Sequence, residues 1–354
     1  MKKLTLLIIF GLIIQVTALS QSCLPEGITF TNQTQIDDFQ VTHPNCNTIE
    51  GNVEISGSDI TNLNGLDILI DVQGNLVIEE NDTLASLSGL NNITSVGGTL
   101  RIFQNPLLTS LVGLENVSFI GGNLRVTQNN NLMDLSALIN ITSIGENLRI
   151  FQNQALASLA GLDNVAIVGD NLRISDNDAL TSLTSLNKLT AINGELGITE
   201  NDVLTSLSGL DSIDAGTITE LSINNNISLP TCEVQSVCNY LASPSGAIDI
   251  HDNATGCNSQ EEVELACDGT SISDIDFEHS IKIYPNPAKK EIFITARNGV
   301  KISEVTIYNR LGQKVLHEEQ FPFSVDVSTL KPGIYIIELA SDKLSISKKL
   351  IIEK

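Results

Sequence analysis

Gly98-Thr99-Leu100-Arg101-Ile102-Phe103-Gln104-Asn105-Pro106-Leu107-Leu108-Thr109-Ser110-Leu111-Val112-Gly113-Leu114-Glu115-Asn116-Val117-Ser118-Phe119-Ile120-Gly121 is one unit of a repeat. Leu76, Leu100, Leu124, Leu148, Leu172 and Leu196 are spaced by 24 without exception, with Leu221 following at 25 and Val53 preceding at 23. A fixed period of this length has to be recognised before any local helix or strand is assigned, because it marks a stack of like units. In the quoted unit the apolar set is Leu100, Ile102, Leu108, Leu111, Leu114, Val117 and Ile120. Leu100 and Ile102 alternate as in a short strand, and the others recur every third residue, which suits short segments separated by bends and fits no continuous helix.

One such coil cannot bury its own leucines. Stacked at about 4.8 Å, the coils form parallel ladders around one continuous core, and eight strands give a rod on the order of 35 Å long. Glycines at 74, 97, 98, 121, 122, 145, 169 and 194 mark the corner before each strand, where tight backbone geometry is needed. Asparagine recurs in phase at Asn81, Asn105, Asn129, Asn153, Asn177, Asn201 and Asn226. Buried polar atoms require partners, so these amides are expected to bond to each other and to the backbone at the turn rather than to form a row of ligand contacts.

The pattern resembles the receptor L-domain family, on the residues Gly98 to Asn105 and Leu108 to Gly121, over about residues 51–229. The resemblance implies an all-β, right-handed parallel β-helix (solenoid) with disulfide-bearing ends. It says little about the ligand, and receptor signalling does not carry over.

Lys2 and Lys3, the apolar run Leu4 to Ile14 and the small-residue end Ala18-Leu19-Ser20 have the order of a secretory signal peptide over 1–20. Lipid attachment at Cys23 would want an aliphatic residue where Ser20 stands. No later run is long and apolar enough for a transmembrane segment. The six cysteines, Cys23, Cys46, Cys232, Cys238, Cys257 and Cys267, flank the repeats and are expected to form disulfides rather than a metal site, since the histidines are scattered. Adjacency points to Cys23 with Cys46; the pairing of the other four stays open.

Residues 21–280 hold 5 Lys+Arg against 34 Asp+Glu, whereas residues 281–354 hold 12 against 8. So acidic a body repels nucleic acid and anionic lipid. Four of its five basic residues are Arg101, Arg125, Arg149 and Arg173, at the outward position of four successive strands. With Phe103, Phe151, Gln104, Gln128 and Gln152 they are expected to draw one stripe, a candidate face for an extracellular glycan or protein carrying carboxylate, sulfate or phosphate. The competing reading is duplication of one surface arginine, its charge met by acids such as Glu79, Glu80, Asp176 and Glu200.

No G-x-S-x-G, H-E-x-x-H or phosphate loop is present, no cofactor is expected, and repeated units argue against a singular catalytic site, so the chain is read as non-enzymatic. Asp249, Asp252 and Asn253 are spaced poorly for calcium. The sequons at Asn92 and Asn140 read as products of the repeat.

After an N-terminal cap (21–50), the solenoid (51–229), a cysteine-containing cap (230–268) and a polar linker (269–280), residues 281–354 alternate like the strands of a small antiparallel β-sandwich with Greek-key connections. This segment resembles the type A C-terminal sorting domain of the type IX secretion system of Bacteroidetes. The matching residues are Tyr284-Pro285-Asn286-Pro287, Leu311-Gly312-Gln313, Pro332-Gly333-Ile334-Tyr335 and the basic, aliphatic end that includes Lys349. The resemblance implies export across the outer membrane by that machinery, then release or attachment to the surface.

Overall fold

A computed structural model describes residues 22–267, 281–296, 302–319, 324–340 and 345–353. The expected signal peptide and linker lie outside these. The chain divides into two compact units, one reaching Leu229 and including Gln235–Asn253, the other made of Pro230–Val234 and Ala254 onward.

In the first unit two parallel sheets follow directly from the repeat. Each L-x-I segment supplies a strand of a ten-stranded long sheet that runs from Ile28–Phe30 through Leu100–Phe103, Leu124–Thr127, Leu148–Phe151 and Leu172–Ser175 to Ile248–His251. The end of each apolar run supplies a two-residue strand of an eight-stranded short sheet, such as Phe119–Ile120 and Ser143–Ile144. The register pairs equivalent positions: Leu124 with Leu100 and Leu148, Val126 with Ile102 and Ile150. Leu100, Ile102, Leu108, Leu114 and Val117 are fully buried, as are their equivalents in the neighbouring coils. Hydrophobic burial shared between adjacent coils is therefore the main cohesive term.

The parallel sheet runs past both bounds read from the repeat. Residues 22–49 complete a coil whose strand Ile28–Phe30 pairs with Val53–Ile55, and Ile248–His251 pairs with Glu220–Asn224. Ten strands at the usual spacing of about 4.8 Å span roughly 43 Å.

Corner glycines answer to close approach between coils. A Cβ at Gly145 would stand 1.9 Å from the Gly121 carbonyl oxygen, and one at Gly121 2.3 Å from that of Gly97. Gly113 answers to a second demand as well: its φ is +119°, and a Cβ there would meet the Leu87 carbonyl oxygen at 2.2 Å.

Cys23 and Cys46 are bonded, with Cα atoms 5.7 Å apart, beside the first strands of the short sheet. Cys232 is bonded to Cys257, Cα atoms 5.5 Å apart. Cys238 and Cys267 are disulfide-bonded as well, and no described cysteine is free.

The second unit contains the helix Gln260–Cys267 and a two-sheet sandwich. A three-stranded antiparallel sheet orders Ile281–Tyr284, Glu291–Ala296 and Ser324–Asp326; a four-stranded one orders Lys314–Glu319, Glu304–Tyr308, Gly333–Ala340 and Ser345–Ile352. Pairing of the second strand with the fifth and of the third with the sixth gives the Greek-key connection. Ile292, Ile294, Val305, Ile307, Ile337, Leu339 and Leu350 fill the space between the sheets. The tail residues singled out by their motifs meet here: Pro285 and Pro287 follow cis peptide bonds, and Asn286 between them donates to the Lys349 carbonyl at 2.8 Å and accepts from the Ile351 amide at 2.9 Å. Gly312 takes φ +75° at the hairpin turn, Gly333 opens its strand, and the Tyr335 hydroxyl donates to the Lys331 carbonyl at 2.8 Å.

Among the described residues no helix is long and apolar enough to cross a membrane.

Candidate functional site

The outward face of the long sheet begins where the inward ladder fixes it. Asn105 donates its side-chain amide to the Ile78 carbonyl (3.0 Å), to the Phe103 carbonyl (3.1 Å) and to Asn129 Oδ1 (3.2 Å), while its backbone amide also donates to Asn129 Oδ1 (3.1 Å). The arrangement repeats along Asn81, Asn129, Asn153, Asn177, Asn201 and Asn226, all fully buried, and ends on Asn253, which donates to the Ile223 carbonyl at 2.7 Å. The ladder is structural, with its buried amides satisfied. It also claims Asn253 from the calcium group considered above; His251 lies between the other two members, 3.2 Å from Asp249 and 2.8 Å from Asp252. Among the described residues no group of three His, Cys, Asp or Glu side chains is placed to hold a metal ion.

The bond from Asn105 to the Phe103 carbonyl straddles Gln104, and that residue takes φ +51°. Gln128 (+58°), Gln152 (+55°), Glu80, Asp176 and Glu200 occupy the same place in their coils with the same left-handed backbone. Such a conformation costs a non-glycine residue of order 1 kcal/mol and persists where surrounding bonds over-determine it. It also swings the side chain off the strand face.

One expectation is corrected on this ground. The arginines, phenylalanines and glutamines do not form a single stripe. Gln104, Gln128 and Gln152 line a groove of about 900 Å³ beyond the turn, together with Ser56, Ser58, Glu80 and Asp82, and Gln128 donates to Gln152 Oε1 at 2.7 Å. Arg101, Arg125, Arg149, Arg173 and Phe151 line a separate groove of about 500 Å³ on the strand face, with Thr127, Ser175 and Thr199. Phe103 lies beside it, under the Arg101 guanidinium, whose carbon is 4.3 Å from the ring centroid.

Strand register stacks the four arginines directly: Arg101 with Arg125, Arg125 with Arg149, Arg149 with Arg173. Their surroundings differ. Arg101 is ion-paired to Glu79, and Arg173 to Glu195, its Nε donating to Glu195 Oε2 at 2.8 Å. The acids Glu80, Asp176 and Glu200, expected from sequence to meet these charges, sit instead in the left-handed turn position. Arg125 and Arg149 have no carboxylate partner among the described residues, and the Nε of each is buried without a hydrogen bond. The repeat explains this: where the outer coils place Glu79 and Glu195, the equivalent neighbours of the inner arginines are Phe103 and Thr127 on one side, Asn147 and Asn171 on the other. Burial, then the charges of Arg125 and Arg173, push the Arg149 guanidinium below its ordinary pKa; Asp170 and Glu195 oppose this only in part.

Sequence reading missed a second ladder at the corner before each strand. Asn75 donates its backbone amide to Asn52 Oδ1 (2.9 Å), and Asn147 and Asn171 donate their side-chain amides to Asn123 and Asn147 (2.7 Å each). The Glu195 amide closes the series on Asn171 Oδ1 at 2.8 Å, which fixes the base of the acid that holds Arg173. Its signal was the residue before each strand leucine, Asn75, Asn123, Asn147 and Asn171, broken by Thr99. The sequon residues Asn92 and Asn140 donate to the carbonyls of Asp67 and Glu115 at 2.6 and 2.7 Å, a structural use for both.

Two segments of the chain match known families. The receptor L domain matches residues 45–132, within a repeat that continues beyond it, and the secretion system C-terminal sorting domain matches residues 282–353. No curated protein matches the chain. The chain thus carries a receptor L domain and a type IX C-terminal sorting domain, which directs it to that machinery for secretion or attachment at the outer surface.

Proposed function

We propose that this exported protein is a non-enzymatic binding or adhesion module that recognises an anion-bearing glycan or protein through the outer face of its long sheet. The observation that carries the reading is the uncompensated pair Arg125 and Arg149, stacked in register in a body otherwise dominated by acids. Like charges at about 5 Å repel, and a bound anion would remove that repulsion while satisfying guanidinium donors. Duplication with local pairing accounts for Arg101 and Arg173 but leaves the inner two without a role.

The test is an array of acidic and neutral glycans and matrix proteins, probed with the protein and with a variant in which Arg101, Arg125, Arg149 and Arg173 are changed to Glu. A saturable ligand, weakened by salt and lost in the variant while circular dichroism stays unchanged, is the expected result. Absence of any ligand, or one indifferent to the substitutions, would instead favour a purely structural surface or matrix component.

A further inference from the structure

The inner half of the arginine groove offers two guanidinium groups and one aromatic ring, and from this we infer that it takes the carboxylate of a uronic-acid residue within an acidic glycan. The inference deepens the binding reading above and rests on it.

Arg125 and Arg149 project from adjacent strands about 4.8 Å apart. A planar carboxylate pairs both its oxygens with one fork, the geometry guanidinium groups favour, and the second guanidinium one strand away adds its charge to the same anion. A sulfate ester matches the charge but spreads it over three oxygens in a tetrahedron, and the titration sets the two anions against each other. The outer arginines do not compete for the anion, because Glu79 and Glu195 already hold them.

The rest of the wall suits a sugar ring. Phe151 stands two residues after Arg149 on the same face of the same strand, is 37 % exposed, and is flanked in register by Thr127 and Ser175. An aromatic surface for the ring's C–H face with hydroxyls at its edges is the usual composition of a small-ligand site, and about 500 Å³ falls inside the roughly 300–1,000 Å³ such sites occupy. Gly197 replaces the next arginine of the row, and the ion-paired Arg173 and Glu195 lie over it: a Cβ there would stand 3.1 Å from Glu195 Oε1 and 3.3 Å from Arg173 Cγ, so the row of guanidinium groups ends at Arg173. Arg149, its pKa lowered by burial and by its neighbouring arginines, gains an anion where it now faces like charge.

The experiment titrates the full protein with α-1,4-linked tri-galacturonate, its methyl ester and a sulfated disaccharide, by calorimetry. The acid is expected to bind saturably, at least tenfold tighter than ester or sulfate. Binding should fall at least tenfold in Arg125→Gln/Arg149→Gln and severalfold in Phe151→Ala, and stay unchanged in Lys188→Gln. Equal binding of acid and ester, a preference for sulfate, or survival of binding in the double variant overturns the uronate assignment. A protein ligand found on the array and lost with the arginines, alongside no uronate binding, overturns this inference and leaves the binding reading standing; no ligand of any class overturns both.

Discussion

The buried asparagine row and the exposed arginine row recur at the same period on the same coils, yet the structure treats them oppositely. Every asparagine of the in-phase row, from Asn81 to Asn226, is fully buried and bonded on both sides, so that each coil depends on the next for its polar satisfaction. The arginines are satisfied only at the two ends, by Glu79 and Glu195, and left unpaired in the middle. Regular spacing alone therefore does not distinguish a fold-forming row from a binding row. The state of the hydrogen-bond partners does: the buried amides of the asparagine row are all satisfied, whereas Arg125 and Arg149 each keep a buried Nε without a bond, a cost that a fold-forming row does not carry.

Breaking the inner row should have the larger effect. Asn129→Ala removes the donor to the Ile102 and Thr127 carbonyls, both at 3.0 Å, and the acceptor for the amides of Asn105. Buried groups left unsatisfied cost about 1–3 kcal/mol each, with partial relaxation, so a loss of about 3 kcal/mol is expected in urea unfolding. A loss under about 1 kcal/mol would mean that water enters and replaces the amide.

A smaller change sharpens the outer row. Glu79→Gln leaves Arg101 without its carboxylate and extends the unpaired set from two arginines to three. The pair is partly exposed, so stability should fall by at most about 1 kcal/mol, while retention of an acidic ligand rises as a free guanidinium is added. Unchanged retention would confine recognition to Arg125 and Arg149.

Much of this architecture was legible because the repeat states it many times over: Leu76 to Leu196 give the period, Leu100 and Ile102 the strand, and Asn105 the ladder. What was not legible depends on backbone conformation or on broken phase. Nothing in Gln104, Gln128 or Gln152 announces a left-handed residue, since glycine is the usual occupant of that conformation, and so the glutamines were placed on the arginine face they turn away from. Asn253 escaped the ladder because it stands 27 residues after Asn226 rather than 24. Glu195 was missed as the partner of Arg173 because its equivalents in earlier coils are uncharged, asparagine at 75, 123, 147 and 171 and threonine at 99. In the tail, Ile281–Tyr284 and Glu304–Tyr308 were readable from alternation, whereas Lys314–Glu319 lacks it and becomes a strand through its pairing with Glu304–Tyr308, and Ser324–Asp326 alternates over too few residues to be read as one.

The most direct test of the claim that the arginine row serves recognition rather than cohesion is the unfolding free energy of Arg125→Gln/Arg149→Gln, measured beside the parent protein in urea at low salt. The account predicts a stability within about 0.5 kcal/mol of the parent or slightly above it, since like-charge repulsion is relieved and no ion pair is lost. A loss of 2 kcal/mol or more, of the order expected for Asn129→Ala, would contradict it and make the arginines part of the scaffold.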